Sequence, residues 1–233
     1  MYSAVLKETL PRVRDAIATA AMGAGREPGE VTLVAVTKGH PVEALTAALD
    51  AGLTDLAENR VAELEEKAAY FAARGRSGFR WHMVGHIQSR KAGRVVELAG
   101  LIHSVDSTRL AERISRAASD VGTEVEVLFQ VNTSGEDAKQ GFSPDQAQEK
   151  IPELAGLPGL RARGLMTMAP FTDDEAVLRR TFGGLRVLAE EIRQSTAELG
   201  PELSMGMSND LGIAVEEGST MVRIGTALFG ERT

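Results

Sequence analysis

Cysteine is absent from the 233 residues of the chain. Disulfide bonds, thiolate metal sites and cysteine nucleophiles are therefore excluded, and a cytoplasmic setting is expected. No uncharged run exceeds about ten residues, whereas a membrane-spanning helix needs about twenty. The N-terminal segment has no signal-peptide pattern, and its Glu8 and Asp15 do not fit a transit peptide. The sequence therefore predicts neither a membrane span nor a targeting segment.

Motifs for metals and nucleotides are missing as well. The four histidines stand on different predicted elements, and no H-E-x-x-H or comparable ligand spacing joins them. Neither a G-x-G-x-x-G nor a Walker pattern is present. Acidic residues exceed basic ones, 33 against 26, and the net charge of −7 argues against nonspecific nucleic-acid binding. A metal centre, a dinucleotide site and a nucleic-acid site are therefore not expected.

What the chain does have is a regular alternation of short apolar runs and longer amphipathic ones. Strands are predicted at 31–37, 54–58, 80–84, 101–105, 124–131, 161–166, 202–205 and 220–224. Helices are predicted at 42–51, 60–74, 88–98, 108–121, 144–155, 173–199 and 209–217. Strands joined by crossover helices pair in parallel, which favours a closed (β/α)8 barrel of the TIM type over an open doubly wound sheet.

No linker divides this series, so a single domain is predicted over residues 1–233. An amphipathic helix, predicted at 3–22, precedes the first strand. The chain after the last strand is too short for a full helix. The N-terminal helix is therefore expected to fill the space that an eighth barrel helix would occupy.

Residues 31–41 are the stretch around which the rest is organised. Seven mostly apolar residues predict a buried strand, and Lys38 follows at its carboxyl end. An ammonium group is costly to desolvate unless it is paired or neutralised, and a neutral amine is a nucleophile. From the residues alone two interpretations stay open: a solvated lysine, or an amine that forms a Schiff base with an aldehyde.

The loops after the seventh and eighth predicted strands suit an anion. Barrel active sites lie at the carboxyl ends of the strands, and phosphates are often bound by these two loops. Ser208 is predicted to cap the next helix, Thr226 adds a hydroxyl, and Gly206 and Gly225 allow close backbone approach. The alternative is two ordinary turns. A phosphate site across the mouth from Lys38 indicates pyridoxal phosphate or a phosphosugar aldolase.

Arg223 helps to separate these possibilities. By two-residue alternation it shares the side of its strand with Gly225 and points into the barrel, where it needs a partner. That partner is either a carboxylate such as Glu58 or the ring nitrogen of pyridoxal phosphate. Asn59 is either a partner of the ring hydroxyl or a loop cap. His82 lies inside a strand, where a packed histidine is the default.

Seven stretches of the sequence together carry a resemblance to a known family. They are Val34-Ala-Val-Thr-Lys38, Glu58-Asn-Arg-Val61, Trp81-His82, Val131-Asn132, Gly164-Leu-Met166, Leu203-Ser-Met-Gly-Met-Ser208 and Val222-Arg-Ile-Gly-Thr226. In these motifs the chain resembles the pyridoxal phosphate homeostasis proteins, which share a barrel with the N-terminal domain of alanine racemase. It departs from the family's usual pattern at Ala57, at His86-Ile87 and at Arg90.

The resemblance implies a binding site for pyridoxal 5'-phosphate (PLP) and assigns a role to each of its residues. Lys38 holds PLP as a Schiff base, and Arg223 faces the ring nitrogen. The other cofactor residues that it implies are Asn59 and His82 beside the ring, Ser208, Gly225 and Thr226 at the phosphate, and Met205. No catalytic and no metal-binding residue is implied.

Two classes of function follow from this resemblance. The first is a non-catalytic PLP-binding protein in intracellular PLP (vitamin B6) and amino-acid homeostasis. The alternative is a PLP-dependent, racemase-like enzyme. Racemisation needs a second base, which in alanine racemase is a tyrosine of an additional β-domain. This chain ends with the barrel, and its two tyrosines, Tyr2 and Tyr70, fall on predicted helices away from the mouth. The missing domain and the missing tyrosine therefore favour the non-catalytic carrier. A third possibility, a Schiff-base aldolase, is disfavoured because it leaves Arg223 and Asn59 without a role.

The expected partners are PLP itself and PLP-dependent apo-enzymes as recipients, without nucleic acid or membrane. No long apolar surface stripe stands out, so a monomer is expected. The polar loop at 131–142 is expected to be a lid or mouth loop, and Lys139 is its one base.

Overall fold

The protein folds into a closed barrel of parallel strands surrounded by helices, as a computed structural model shows. The structure describes residues 1–136 and 140–231. The strands are β1 (Thr32–Val36), β2 (Asp55–Glu58), β3 (Arg80–Met83), β4 (Leu101–Val105), β5 (Val125–Gln130), β6 (Leu160–Met166), β7 (Glu202–Ser204) and β8 (Met221–Ile224). The helices that enclose the first half are α1 (Tyr2–Gly23), α2 (Val42–Asp50), α3 (Val61–Ala72), α4 (Ala92–Leu98) and α5 (Thr108–Asp120). Those of the second half are α6 (Pro144–Ala155), α7 (Glu175–Ser195), α8 (Leu211–Glu216) and α9 (Thr226–Phe229).

The strands pair in parallel in sequence order, and β8 returns to pair with β1. Val34 of β1 lies opposite Arg223 of β8 in this closing register. The closed barrel confirms the fold class predicted from the sequence and rules out the open doubly wound sheet. Every residue of β4 and of β8 is buried, as is typical of parallel strands covered on both faces.

The N-terminal helix takes the place that the sequence assigns to it. It packs against α2, α8 and α9, and the Thr9 hydroxyl donates a hydrogen bond to the Leu228 carbonyl at 2.7 Å. Since α8 and α9 are short, α1 covers the β8–β1 side of the barrel with its apolar face. Leu6, Leu10, Val13 and Ile17 form this face, and each is at most 5% exposed.

The barrel interior is a small core of its own, separate from the larger core between strands and helices. Its apolar members are Val34, Val36, Ala57, Leu101, Leu128, Met166 and Met221. Polar residues share this interior, among them His82, His103, Ser204 and Arg223, and each of these is at most 6% exposed. Such groups need partners within the interior, because burying an unpaired polar group is costly.

Gly164 shows why one strand position cannot carry a side chain. It lies in β6 with φ at +148°, and a Cβ atom there would lie 1.9 Å from the Glu202 carbonyl oxygen. Glycine therefore lets β7 approach β6 at this point. Across the described residues, no helix is long and apolar enough to span a membrane.

Candidate functional site

A cavity of about 480 Å³ opens at the carboxyl ends of the strands. It lies where the barrel architecture places active sites. The predicted site residues in its lining are Lys38, Asn59, Ser208, Arg223, Gly225 and Thr226. Met205 and His82 lie outside the lining. The structure therefore brings six of the eight predicted residues to one cavity and leaves two buried beside or beneath it.

Lys38 follows β1 and is half-buried. The backbone on each side of it is held by an ionised side chain of α3. The Lys67 ammonium donates to the Thr37 carbonyl at 2.9 Å, and the Gly39 amide donates to the Glu63 carboxylate at 2.7 Å. These two bonds fix the turn that presents the Lys38 side chain to the cavity.

Beneath this turn lies a buried ion pair that the sequence did not reveal. The Lys67 Nζ lies 2.6 Å from the Glu58 carboxylate, and the Thr37 hydroxyl donates to the same oxygen at 2.6 Å. Burial raises the pKa of the Glu58 carboxyl, and the hydrogen bonds from Lys67 and Thr37 oppose that shift. In the sequence, Lys67 looks like an ordinary polar residue of an amphipathic helix. Its role becomes visible only in the packing of α3 against β2.

Arg223 has partners other than the carboxylate considered from sequence. Its Nη1 donates to the Ser204 hydroxyl at 2.6 Å, and its Nη2 donates to the Thr167 carbonyl at 2.9 Å. Burial lowers the pKa of the guanidinium to about 10, and the Asp210 carboxylate opposes that shift. Arg223 is therefore still a cation at neutral pH, and it lies in the floor of the cavity.

Ser208 makes a different contact from the one predicted. Helix α8 begins at Leu211 with Asp210 as its N-cap, so the prediction that Ser208 caps this helix is wrong. The Asp210 carboxylate instead accepts a hydrogen bond from the Met207 amide at 2.5 Å. The Ser208 hydroxyl accepts from the Ala227 amide at 3.2 Å, which joins the loop after β7 to the start of α9.

Two glycines let these loops approach the strands closely. Gly206 has φ at +97°, and a Cβ atom there would lie 2.6 Å from the Ala214 side chain. At Gly225 a Cβ atom would lie 3.1 Å from the Val36 carbonyl oxygen. Larger residues would push the loops after β7 and β8 away from β1 and α8.

His82 is the packed strand histidine that its position in the sequence indicates. Its ring is fully buried in the barrel interior and is hydrogen-bonded to His103 at 2.8 Å and to Asp55 at 3.0 Å. The ring points into the barrel and does not line the cavity, and its implied place beside a PLP ring stays a prediction. Met205 is also fully buried, and its carbonyl accepts a hydrogen bond from the Ser219 hydroxyl at 2.7 Å.

Asn59 lines the cavity beside the end of β3, where a Cβ atom on Gly85 would lie 2.0 Å from the Asn59 carbonyl oxygen.

Neither tyrosine lines the cavity. The Tyr2 hydroxyl nevertheless lies 3.3 Å from Nδ1 of His40, which does line it, so Tyr2 is nearer to the mouth than the sequence indicated. The predicted mouth residue Lys139 lies outside the described residues. Within the described ranges, no cluster of three or more His, Asp or Glu side chains is arranged to hold a metal ion.

Known proteins resemble this chain over nearly its whole length. Residues 15–233 match the family described as the N-terminal domain of alanine racemase. The chain is 37% identical to the pyridoxal phosphate homeostasis protein of Escherichia coli K12 over 235 residues, which cover 97% of each chain. The solved structure of PipY from Synechococcus elongatus with PLP bound matches with a TM-score of 0.81 and 38% identity, covering 92% of this chain and all of that one.

A more distant likeness concerns the fold alone. An alanine racemase of Clostridium difficile matches with a TM-score of 0.76 and 17% identity. The match covers 97% of this chain but 56% of that one. The relatives that match over nearly their full length therefore identify the family more precisely than the racemase does. The chain belongs to the alanine racemase N-terminal domain family and, within it, to the pyridoxal phosphate homeostasis proteins.

Proposed function

We propose that this protein binds PLP through the Lys38 amine and acts in PLP and amino-acid homeostasis. One observation carries the proposal: a single cavity is lined by a primary amine, by two hydroxyl groups on joined loops and by a buried cation. The relatives named for PLP homeostasis, and PipY with PLP bound, support the same function.

The donor set fits each part of PLP. PLP supplies an aldehyde that condenses with a primary amine, with loss of one water, and among the residues that the structure describes Lys38 is the one lysine in the cavity lining. Ser208 and Thr226 offer hydroxyl groups to a phosphate, and Gly225 leaves room beside them. Arg223 offers N–H donors to a ring nitrogen. A volume of about 480 Å³ is within the range of small-molecule sites.

We further propose that the protein is a carrier or regulator and not an enzyme. A guanidinium only donates hydrogen bonds, so Arg223 favours an unprotonated ring nitrogen, which is a poor electron sink. Tyr2 and Tyr70 are absent from the cavity lining, so neither supplies a second base there. One observation favours the racemase-like alternative: His86 lines the cavity, and its Nδ1 lies 3.0 Å from the Asp106 carboxylate.

Titration of the purified protein with PLP tests the proposal. We expect a new visible absorbance band that saturates with one PLP per chain, and we expect Lys38→Ala to abolish it. Lys7→Ala, which removes an exposed lysine of α1, is the matched control and should keep the band. A protein that takes up no PLP would refute the binding function.

Assays with alanine separate the carrier from the racemase-like enzyme. We expect no turnover above that of the Lys38→Ala variant. Turnover of about 1–10³ per second, as enzymes show, would overturn the carrier proposal. If that turnover were lost in His86→Ala, the His86–Asp106 pair would be its source.

We also propose that the protein is a monomer that passes PLP to apo-enzymes. The large exposed apolar side chains of the described residues are Met1, Met22, Val121, Phe171, Val187 and Met207. Phe171 and Met207 line the cavity, and the other four lie outside its lining. Light scattering should give a mass near 24.8 kDa, and a stable dimer would refute the monomer. Transfer predicts that the PLP-loaded protein activates an apo-enzyme faster than the same amount of PLP released from it.

A further inference from the structure

A line of hydrogen bonds crosses the barrel interior from one end to the other. It starts at Asp55, the first residue of β2, and ends at Arg223 in the cavity floor. We call the four residues before Arg223 the interior network: Asp55, His82, His103 and Ser204. The three distances between them are 3.0, 2.8 and 2.8 Å, and the Ser204 hydroxyl lies 2.6 Å from Nη1 of Arg223.

The two ends of this line fix the direction of every bond in it. A guanidinium only donates, so the Ser204 hydroxyl accepts from Arg223. The carboxylate at the other end only accepts, so in two neutral imidazoles each Nε2 donates and each Nδ1 accepts, and the Ser204 hydroxyl gives its own proton to Nδ1 of His103. A neutral His103 then carries its proton on Nε2 and donates to Nδ1 of His82. His82 in turn donates from Nε2 to the Asp55 carboxylate, which only accepts. Both imidazoles are thus neutral Nε2–H tautomers.

The charges around the line agree with this assignment. Burial lowers the pKa of His82, and it lowers the pKa of His103 further. The hydrogen bond from His82 lowers the pKa of Asp55, so this carboxyl is ionised at neutral pH. The other charged groups that face these residues are Arg80 and Glu126 near His82, and Asp210 near Arg223.

None of the four residues of the interior network lines the cavity, so the proposed function leaves the network without a role. We propose that the interior network positions Arg223, holding one edge of the guanidinium in the barrel so that its other donors face the cavity. Asp55 is the remote counter-charge of this cation, reached through two neutral imidazoles and a hydroxyl. The consequence for the ligand rests on the proposed function: the cavity prefers a ligand whose acceptor atom faces Arg223 in the cavity floor.

Nuclear magnetic resonance of the ligand-free protein tests the hydrogen-bond direction. With four histidines in the chain, ¹H–¹⁵N spectra resolve each ring. At pH 7 we expect His82 and His103 to be neutral and protonated on Nε2. A His103 protonated on Nδ1, or on both nitrogens, would overturn the proposal. Because PLP is absent from this measurement, its outcome is independent of the proposed function.

Variants test whether the network acts on Arg223. Ser204→Ala should shift the Nδ1 resonance of His103, and Ser204→Thr, which keeps the hydroxyl, should restore it. Ser115→Ala is the matched control, because this buried α5 serine donates to the Pro158 carbonyl away from the network. An unchanged His103 resonance in Ser204→Ala would overturn the proposal.

Ligand preference gives a readout that a purely structural role would not change. The affinity for PLP is compared with that for its analogue in which carbon replaces the ring nitrogen. Ser204→Ala and Asp55→Asn should each lower the preference for PLP by about two- to tenfold, as expected for one weakened hydrogen bond. Ser115→Ala should leave it unchanged. Equal preference in all three variants and the parent would refute the positioning role, whereas no PLP binding by the parent would refute the proposed function instead.

Discussion

At the scale of single residues, two lysines near one turn have different surroundings. Lys38 lines the cavity, whereas Lys67 is buried against the Glu58 carboxylate and the Thr37 carbonyl. A buried charge is tolerated only with such partners. Lys67 therefore holds the backbone beside Lys38 in place without itself lining the cavity. In this way α3 contributes to the site.

Replacing Lys67 should lower the stability of the protein. Lys67→Met leaves the Glu58 carboxylate buried without its counter-charge, and we expect a loss of about 3–5 kcal/mol in the free energy of unfolding. Urea denaturation at pH 7 measures it. Lys91→Met is the matched control, because Lys91 pairs with Glu65 near the surface at 3.3 Å and should cost about 1 kcal/mol or less. Equal costs for the two variants would contradict the role of the buried pair.

At the scale of elements, the loops after β7 and β8 act as one unit. The Ser208 hydroxyl on the first loop accepts from the Ala227 amide in α9, the helix that follows the second loop. The sequence identified both loops but assigned Ser208 to the helix next in sequence. A serine before a helix indicates a cap, and the chain alone does not show that the cap serves a helix 19 residues further on.

Loss of the Ser208 hydroxyl should affect the phosphate more than the ring. Ser208→Ala is expected to weaken PLP binding about ten- to a hundredfold, as for a hydrogen bond to a charged group. The affinity for pyridoxal, which has no phosphate, should change much less. Ser143→Ala is the control, since Ser143 caps α6 in a similar way. Equal losses for PLP and pyridoxal would contradict a phosphate site at these loops.

The sequence predicted the strands and most helices closely, because their patterns are local. β4 and α6 have the predicted bounds, and α7 ends four residues earlier than predicted. The predicted helix at 88–98 is divided into a short 3-10 turn and α4. These differences lie at element ends, where caps and tertiary contacts decide the boundary.

At the scale of the whole molecule, the sequence could not show what joins distant strands through the interior. His103 and Ser204 are 101 residues apart in the chain, and Asp55 and His82 are 27 apart. Two-residue alternation predicts which side chains point inward, but it does not give their partners across the barrel. The sequence therefore indicated that His82 is packed inside its strand, but not that it links Asp55 to His103.

As the pH falls, the fold should begin to lose stability at a higher pH than it would if only carboxylates titrated. Burial lowers the pKa of His82 and of His103, whereas a histidine in the unfolded chain titrates near 6.5. Below pH 6.5 the unfolded chain therefore binds more protons, and stability falls as the pH drops. We expect the free energy of unfolding to fall between pH 6.5 and 5.5, by at most about 1.4 kcal/mol per pH unit for each of the two histidines, measured by urea denaturation.

Two variants identify the source of this pH dependence. His103→Gln should reduce the loss, since it removes the histidine whose pKa is lowered further of the two. Ser115→Ala should leave it unchanged, because this buried hydroxyl does not titrate and donates to the Pro158 carbonyl. Glu58, whose pKa is raised by burial, acts in the opposite direction and is retained in all three proteins. A flat profile between pH 5.5 and 6.5 in the parent protein would contradict the assignment of neutral buried histidines.

The central claim is that PLP is bound at Lys38, and chemical reduction tests it most directly. The PLP-loaded protein is treated with borohydride, digested, and analysed by mass spectrometry for pyridoxyl phosphate on each of its six lysines. We predict one modified site, Lys38, at close to one group per chain, and none in Lys38→Ala. Modification of Lys139 or of another lysine instead, or unmodified Lys38 in a loaded protein, would contradict the account.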